Sequence, residues 1–150
     1  MKTGKTLLTI SMLAIVLNAC KQAGNPANSV KPAMIAQLDT NQYTSIIWKD
    51  TLINFGKITE GDTVKLVYTF TNTGNKWLYI NSVKPSCGCT IASFTETPVE
   101  PGDSGRVEAF FASRFHPGQQ NKIIMVRANT KIKTNHKLIF SGEVIPKSEK

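Results

Sequence analysis

Between residues 63 and 72 apolar side chains fall on every second position: Val64, Leu66, Tyr68 and Phe70 alternate with Lys65, Val67, Thr69 and Thr71. Successive side chains of an extended chain point to opposite sides, so this spacing puts one apolar row on one face of a strand. Such a row must be buried against a second layer. Asn72-Thr73-Gly74-Asn75 follows, rich in residues that tolerate turn conformations, and a second strand is expected over 77–83. Further strand-like runs lie at 46–55, 90–94, 106–112, 122–127 and 137–145. Thr59-Glu60-Gly61-Asp62, Pro101-Gly102-Asp103-Ser104-Gly105 and His116-Pro117-Gly118 separate them with turn chemistry. About seven short strands with no long helix-period run predict an all-β fold, an antiparallel β-sandwich. With 150 residues and 41% hydrophobic content the chain can fill one core, which makes 44–150 a single domain. The antibody-type Cys…Trp…Cys pattern is absent, so the sandwich is Ig-like in architecture at most.

The first nineteen residues read as an address. Lys2 and Lys5 form a positive start, 7–17 is apolar, and Leu17-Asn18-Ala19-Cys20 is a small-residue cleavage site ending in cysteine. That is the layout of a secretory signal, and the cysteine at the cut makes it similar to a bacterial lipoprotein signal. On this reading Cys20 is diacylated and becomes the new N-terminus, and two acyl chains anchor stably where one is marginal. The plainer alternative is an ordinary signal cut nearby that leaves Cys20 as a spare thiol. The expected location is extracytoplasmic, lipid-anchored to a bacterial membrane, with the outer membrane favoured. Residues 20–43 shift to Asn, Gln, Ala, Ser and Pro and read as a flexible tether, with a short, marginal helix conceivable around 32–38.

The whole chain carries a formal +8, of which +6 remains once Lys2 and Lys5 leave with the signal. An excess of this kind favours anionic lipid headgroups or polysaccharide, but dispersed lysines serve solubility more often. Only Arg127, Lys131, Lys133 and Lys137 form a local acid-free group. No nucleic-acid motif accompanies the charge, and nucleic acid is not an expected partner.

Four motifs stand in a fixed order: Asn54-Phe55-Gly56-Lys57-Ile58 with Glu60-Gly61, then Phe70-Thr71-Asn72-Thr73-Gly74, then Ser86-Cys87-Gly88-Cys89-Thr90, then Glu100-Pro101-Gly102-Asp103-Ser104-Gly105. Together they resemble the bacterial family catalogued as domain of unknown function 1573, over roughly residues 50–145. The resemblance implies an Ig-like β-sandwich, related in shape to major-sperm-protein and pilus-chaperone domains and often carried by secreted proteins or lipoproteins. It implies no established reaction. Gly56, Gly61, Gly74 and Gly102 are read as structural, each closing a reversal that a Cβ would obstruct.

Cys87-Gly88-Cys89 is the constellation with chemical potential, and it supports three readings. The thiols can form a disulfide across one glycine, with Gly88 supplying the backbone freedom, in a compartment oxidising enough to allow it. They can bind a soft metal, Cu(I) or Zn(II), if His116, His136 or Met125 converges on them. Or they pack as small buried residues, inert to exchange; thiol redox would instead require an exposed, low-pKa sulfur. Neither histidine sits at metal-site spacing, and each reads as an ordinary surface residue. Trp48, Trp77 and Tyr79 read as strand packing, with a carbohydrate platform as a minor alternative. No G-x-S-x-G, H-E-x-x-H, dinucleotide or P-loop motif is present, so the chain is expected not to be an enzyme. The expected role is a lipid-anchored envelope module that binds or scaffolds another envelope protein through a strand edge or loop end. Its rival is thiol-redox or soft-metal binding at Cys87 and Cys89.

Overall fold

The computed structural model describes residues 32–148. The leader, Cys20 and the first part of the expected tether lie outside the described residues. The chain runs through α1 (Pro32–Leu38) and then β1 (Ile46–Trp48), β2 (Leu52–Thr59), β3 (Thr63–Asn72), β4 (Ile80–Pro85), β5 (Thr90–Phe94), β6 (Ser104–Ala112), β7 (Gly118–Ala128) and β8 (Asn135–Ile145). Two four-stranded sheets face each other, ordered β1-β3-β6-β5 and β2-β8-β7-β4. The all-β, Ig-like sandwich is therefore the fold.

Eight strands form because the expected run 46–55 divides between the sheets. Lys49 N–H still bonds Thr69 O of β3, whereas Thr51 O already accepts from Ile139 N of β8. Within two residues the main chain has changed partner. β1 is antiparallel to β3, but β2 lies parallel to β8, the one parallel pair among the described strands. The expected strand 77–83 also starts late, at Ile80, because Leu78 is drawn across to bridge Val99. Residues 32–43, expected to belong to a tether, hold α1 and a short helical turn at Thr40–Gln42, and Tyr43 OH donates to Gln37 O.

The alternating row of β3 does what its period requires. Leu66, Tyr68 and Phe70 are buried, joined by Val107, Ala109 and Phe111 from β6, and they face Ile124, Val126, Leu138, Phe140 and Val144 of the other sheet. Phe111 and Phe140 meet across the sandwich at 5.4 Å between centroids. Each such side chain contributes about 1.5–3 kcal/mol on burial. Tyr68 spans the layers, its hydroxyl donating to Ile139 O at 2.8 Å, and burial pushes its pKa up to about 12.

One end of the sandwich is tied by two buried asparagines. Asn72 donates to Lys76 O and Val99 O and accepts from Thr44 Oγ1 and Gly74 N. Asn129 donates to Gln42 O and Trp77 O and accepts from Tyr79 N. Between them they fasten the chain where it enters the domain, the turn after β3 and the β7–β8 connection.

Candidate functional site

The Cys87 and Cys89 sulfurs are bonded, with their Cα atoms 5.3 Å apart. The pair sits where the chain crosses from β4 in one sheet to β5 in the other, and both sides of the crossing are clamped. Ser86 N–H donates to Ile123 O, and Ile123 N–H donates back to Ser86 Oγ. Cys89 O accepts from Ala112 N of β6. Thr90 Oγ1 lies 3.4 Å from Cys87 Sγ, and both cysteines are half-buried. A loop this short contributes only about 1–2 kcal/mol through chain entropy. Its consequence is geometric: it fixes where β5 begins. Gly88 has no positive φ, and a Cβ there would meet nothing, so the bond does not draw on glycine's backbone freedom.

Among the described residues no three His, Cys, Asp or Glu side chains converge. His116 stacks on Phe111, and Met125 lies on β7 between Lys84 and Lys137. While bonded to each other, the two sulfurs do not by themselves supply the four ligands of a closed zinc site.

His136 departs from expectation: it is 4% exposed rather than a surface residue. Thr130 Oγ1 donates to Lys133 O, so His136 Nε2 donates to Thr130 Oγ1, at 2.9 Å. Its ring lies 6.0 Å from that of Trp48, in the wall of a cleft of about 400 Å³ that Thr44 and Lys131 also line. Burial first, and the Lys133 charge second, hold its pKa below 6.5. The folded state thus disfavours the imidazolium that the unfolded chain accepts. Stability is full above 6.5 and falls as pH drops from there toward the lower folded value. A His136→Gln variant should flatten that limb in denaturation midpoints taken between pH 7.5 and 5; an unchanged slope would assign it to other groups.

The other planned glycines divide by cause. Gly56, Gly61 and Gly102 have positive φ, whereas Gly74 is required by close approach, since a Cβ there would overlap Thr44 Oγ1 and lie 2.6 Å from Ser45 N. Trp48 packs edge-on against Phe70 at 5.1 Å, while Trp77 is 46% exposed at the asparagine-tied end.

The feature that sequence reasoning left unlocated is the open edge. β5 pairs only with β6, Ile91 opposite Phe110 and Ser93 opposite Glu108. Cys89 and Thr95 bond Ala112 and Arg106 in the same ladder. Odd-numbered residues therefore face β6, and the N–H and C=O of Ala92 and Phe94 point to the open side. On the outer face Ile91 is 74% exposed beside Phe110, and Lys65 lies over the Phe110 ring from the other side. The other edges are shorter, interrupted or partly covered, and β1 covers only Phe70, Thr71 and Asn72 of β3. β1 has three residues, β2 is broken by a bulge between Asn54 and Lys57, and α1 lies against β4.

Two sheets stacked in this order, with the first strand divided between them, make an Ig-like β-sandwich. The chain belongs to the family described as protein of unknown function (DUF1573), whose model matches residues 46–144. Among solved structures it is similar to a protein of unknown function from Porphyromonas gingivalis W83, at TM-score 0.60 and 17% identity over 70% of this chain. That match spans 49% of the Porphyromonas chain, about half its length. It is also similar to the ASH/PapD-like domain 7 of human CEP192, at TM-score 0.57 and 16% identity, covering 83% of this chain and 98% of that one. Both likenesses are of fold. Comparison with curated proteins finds no match.

Proposed function

We propose that this protein is a lipid-anchored, extracytoplasmic β-sandwich module that binds another envelope protein along the open edge of β5. The anchor rests on the charged, apolar and cleavage segments that end at Cys20. The bonded Cys87–Cys89 pair agrees with an oxidising compartment. The observation that carries the binding reading is the edge itself: outward main-chain groups at Ala92 and Phe94, flanked by Ile91 and Phe110, with neither proline nor charge on β5 to discourage pairing. An added strand gains main-chain hydrogen bonds from the edge, and Ile91 and Phe110 offer apolar contacts beside it. In this reading the sulfur bond acts as a clamp that holds the start of β5, and no reaction is assigned to the protein.

Two substitutions test it. Ala92→Pro deletes an N–H that faces away from β6 and leaves the Ile91 and Ser93 pairings in place, and Ile91→Lys adds a charge beside the edge. Each should lower recovery of a crosslinked envelope partner by about tenfold, the scale of a central contact, with the thermal midpoint little changed. Equal recovery from wild type and both variants, or a wild type that repeatedly returns no partner, would sink the edge reading.

A further inference from the structure

The end of the sandwich tied by Asn129 collects a set of side chains that the fold does not use. Ile132, at the tip of the β7–β8 connection, is 98% exposed and stands between Lys131 and Lys133. Trp77 is 46% exposed and is bound to the same connection through its carbonyl and Asn129. Lys76 and Arg127 are exposed close by. None of the ion pairs between described residues involves any of these cations. Of the carboxylates around this end, Asp39 accepts from Asn41 N within its own helical turn, and Asp103 lies in the β5–β6 connection, where its carbonyl accepts from Asn72 N.

The chain enters the domain at this same end. Asn129 Nδ2 donates to Gln42 O at 2.7 Å, Thr44 N–H to Asn129 O, and Lys131 N–H to Thr44 O. The first described residue, Pro32, lies beside Tyr79 and Pro98, next to the Trp77 turn. From Cys20 to Pro32 the chain reaches at most about 40 Å when fully extended. A bilayer holding Cys20 therefore lies within about 40 Å of this end of the sandwich, close enough for contact.

We propose that this end is a membrane-contact surface, with Ile132 and Trp77 entering the interfacial layer of an anionic bilayer and Lys131, Lys133, Lys76 and Arg127 meeting its phosphates. It rests on the anchored reading for its orientation and adds a contact that the acyl chains do not supply. The chemistry matches on both counts. Tryptophan favours the headgroup level, where its ring is amphipathic, and an exposed aliphatic tip flanked by lysines presents apolar surface and charge together. Each lysine near an anionic surface contributes about fivefold in partitioning. A second, weaker signal beside a lipid anchor fixes orientation, so β5 and its edge would be presented in a set direction relative to the membrane.

The test uses residues 20–150 carrying Cys20→Ser, which lack the apolar leader and cannot be acylated, sedimented with vesicles of phosphatidylglycerol and phosphatidylethanolamine or of phosphatidylcholine alone. Binding is expected to the anionic vesicles, falling as salt is raised, with little to phosphatidylcholine. Lys131→Gln with Lys133→Gln should weaken it about 25-fold. Ile132→Ser should weaken it by a factor that salt does not change. No binding to anionic vesicles, or equal binding by the lysine variant, would overturn the proposal. So would a photo-crosslinker at Ile132 that yields protein adducts in cells and no lipid adducts. The intact mass of the native chain reports separately on Cys20: absence of acyl chains there would end the anchored reading and leave the vesicle result standing on its own.

Discussion

Asn129→Ala is expected to lower the stability of the domain by about 3 kcal/mol. The side chain is fully buried and makes three hydrogen bonds, to Gln42 O, Trp77 O and Tyr79 N, with donor–acceptor distances of 2.7, 3.0 and 2.8 Å. Each bond contributes about 1 kcal/mol, and truncation also leaves the part-buried Tyr79 N–H and two carbonyls without this partner. Asn129→Asp separates hydrogen bonding from volume. It keeps the acceptor for Tyr79 N but turns an oxygen toward two carbonyl oxygens, so it should be at least as damaging as alanine. Denaturant midpoints for the three proteins decide the matter; an alanine variant within 1 kcal/mol of wild type would mean that water replaces the side chain. The same variant should loosen the Lys131–Ile132–Lys133 tip and weaken vesicle binding, because Asn129 connects that tip to the incoming chain.

A comparable loss, about 3 kcal/mol, is expected from Gly142→Ala, in the middle of β8. Two residues of β2, Phe55 and Gly56, stand opposite this single glycine at the bulge between Asn54 and Lys57. The Phe55 ring lies directly over Gly142, and an added Cβ would overlap the ring and come within 2.6 Å of Gly56 O. The ring cannot simply swing away, since it packs against Phe111 at 5.8 Å and Phe140 at 6.3 Å between centroids. Moving Gly56 O would disturb the one parallel pair. Phe55→Leu should make Gly142→Ala less costly than in the wild-type background, a non-additivity of the kind neighbours in contact show. Additive losses would place the damage in the β8 backbone.

How much of this could be read beforehand differs from residue to residue. The burial of Leu66, Tyr68 and Phe70 was legible because a strand's period is set by covalent geometry and needs no knowledge of the partner sheet. Gly142 carried a weak signal, an isolated glycine inside a strand run, which often marks a close backbone approach. That the approaching group is Phe55, 87 positions away, was not legible. The division of 46–55 into two strands was hidden for a related reason: 46–48 and 52–55 are both strand-like, and only the competition between Thr69 and Ile139 for main-chain bonds places the break. His136 was misread as exposed because it lies in a basic stretch, yet at the second position of β8 the alternation turns it inward beside Trp48. At the candidate site the sequence marked the cysteine pair but not the β5 edge beside it, since an edge is defined by which strand is missing next to it.

What the sequence determined by itself is whatever depends on local stereochemistry. It set the β periodicity, the turns at Gly61 and Gly102 and the likeness to the family. What only the tertiary structure decided is whatever depends on distant segments meeting. It brought the tether end, Trp77 and the Lys131–Ile132–Lys133 tip to one pole through Asn129, closed the sulfur bond at a corner between sheets, and left β5 at an open edge. The physical reason is that both sheets are assembled from pairings between remote strands, such as β2 with β8 and β3 with β6, so that neighbourhood on the surface follows sheet order and not chain order.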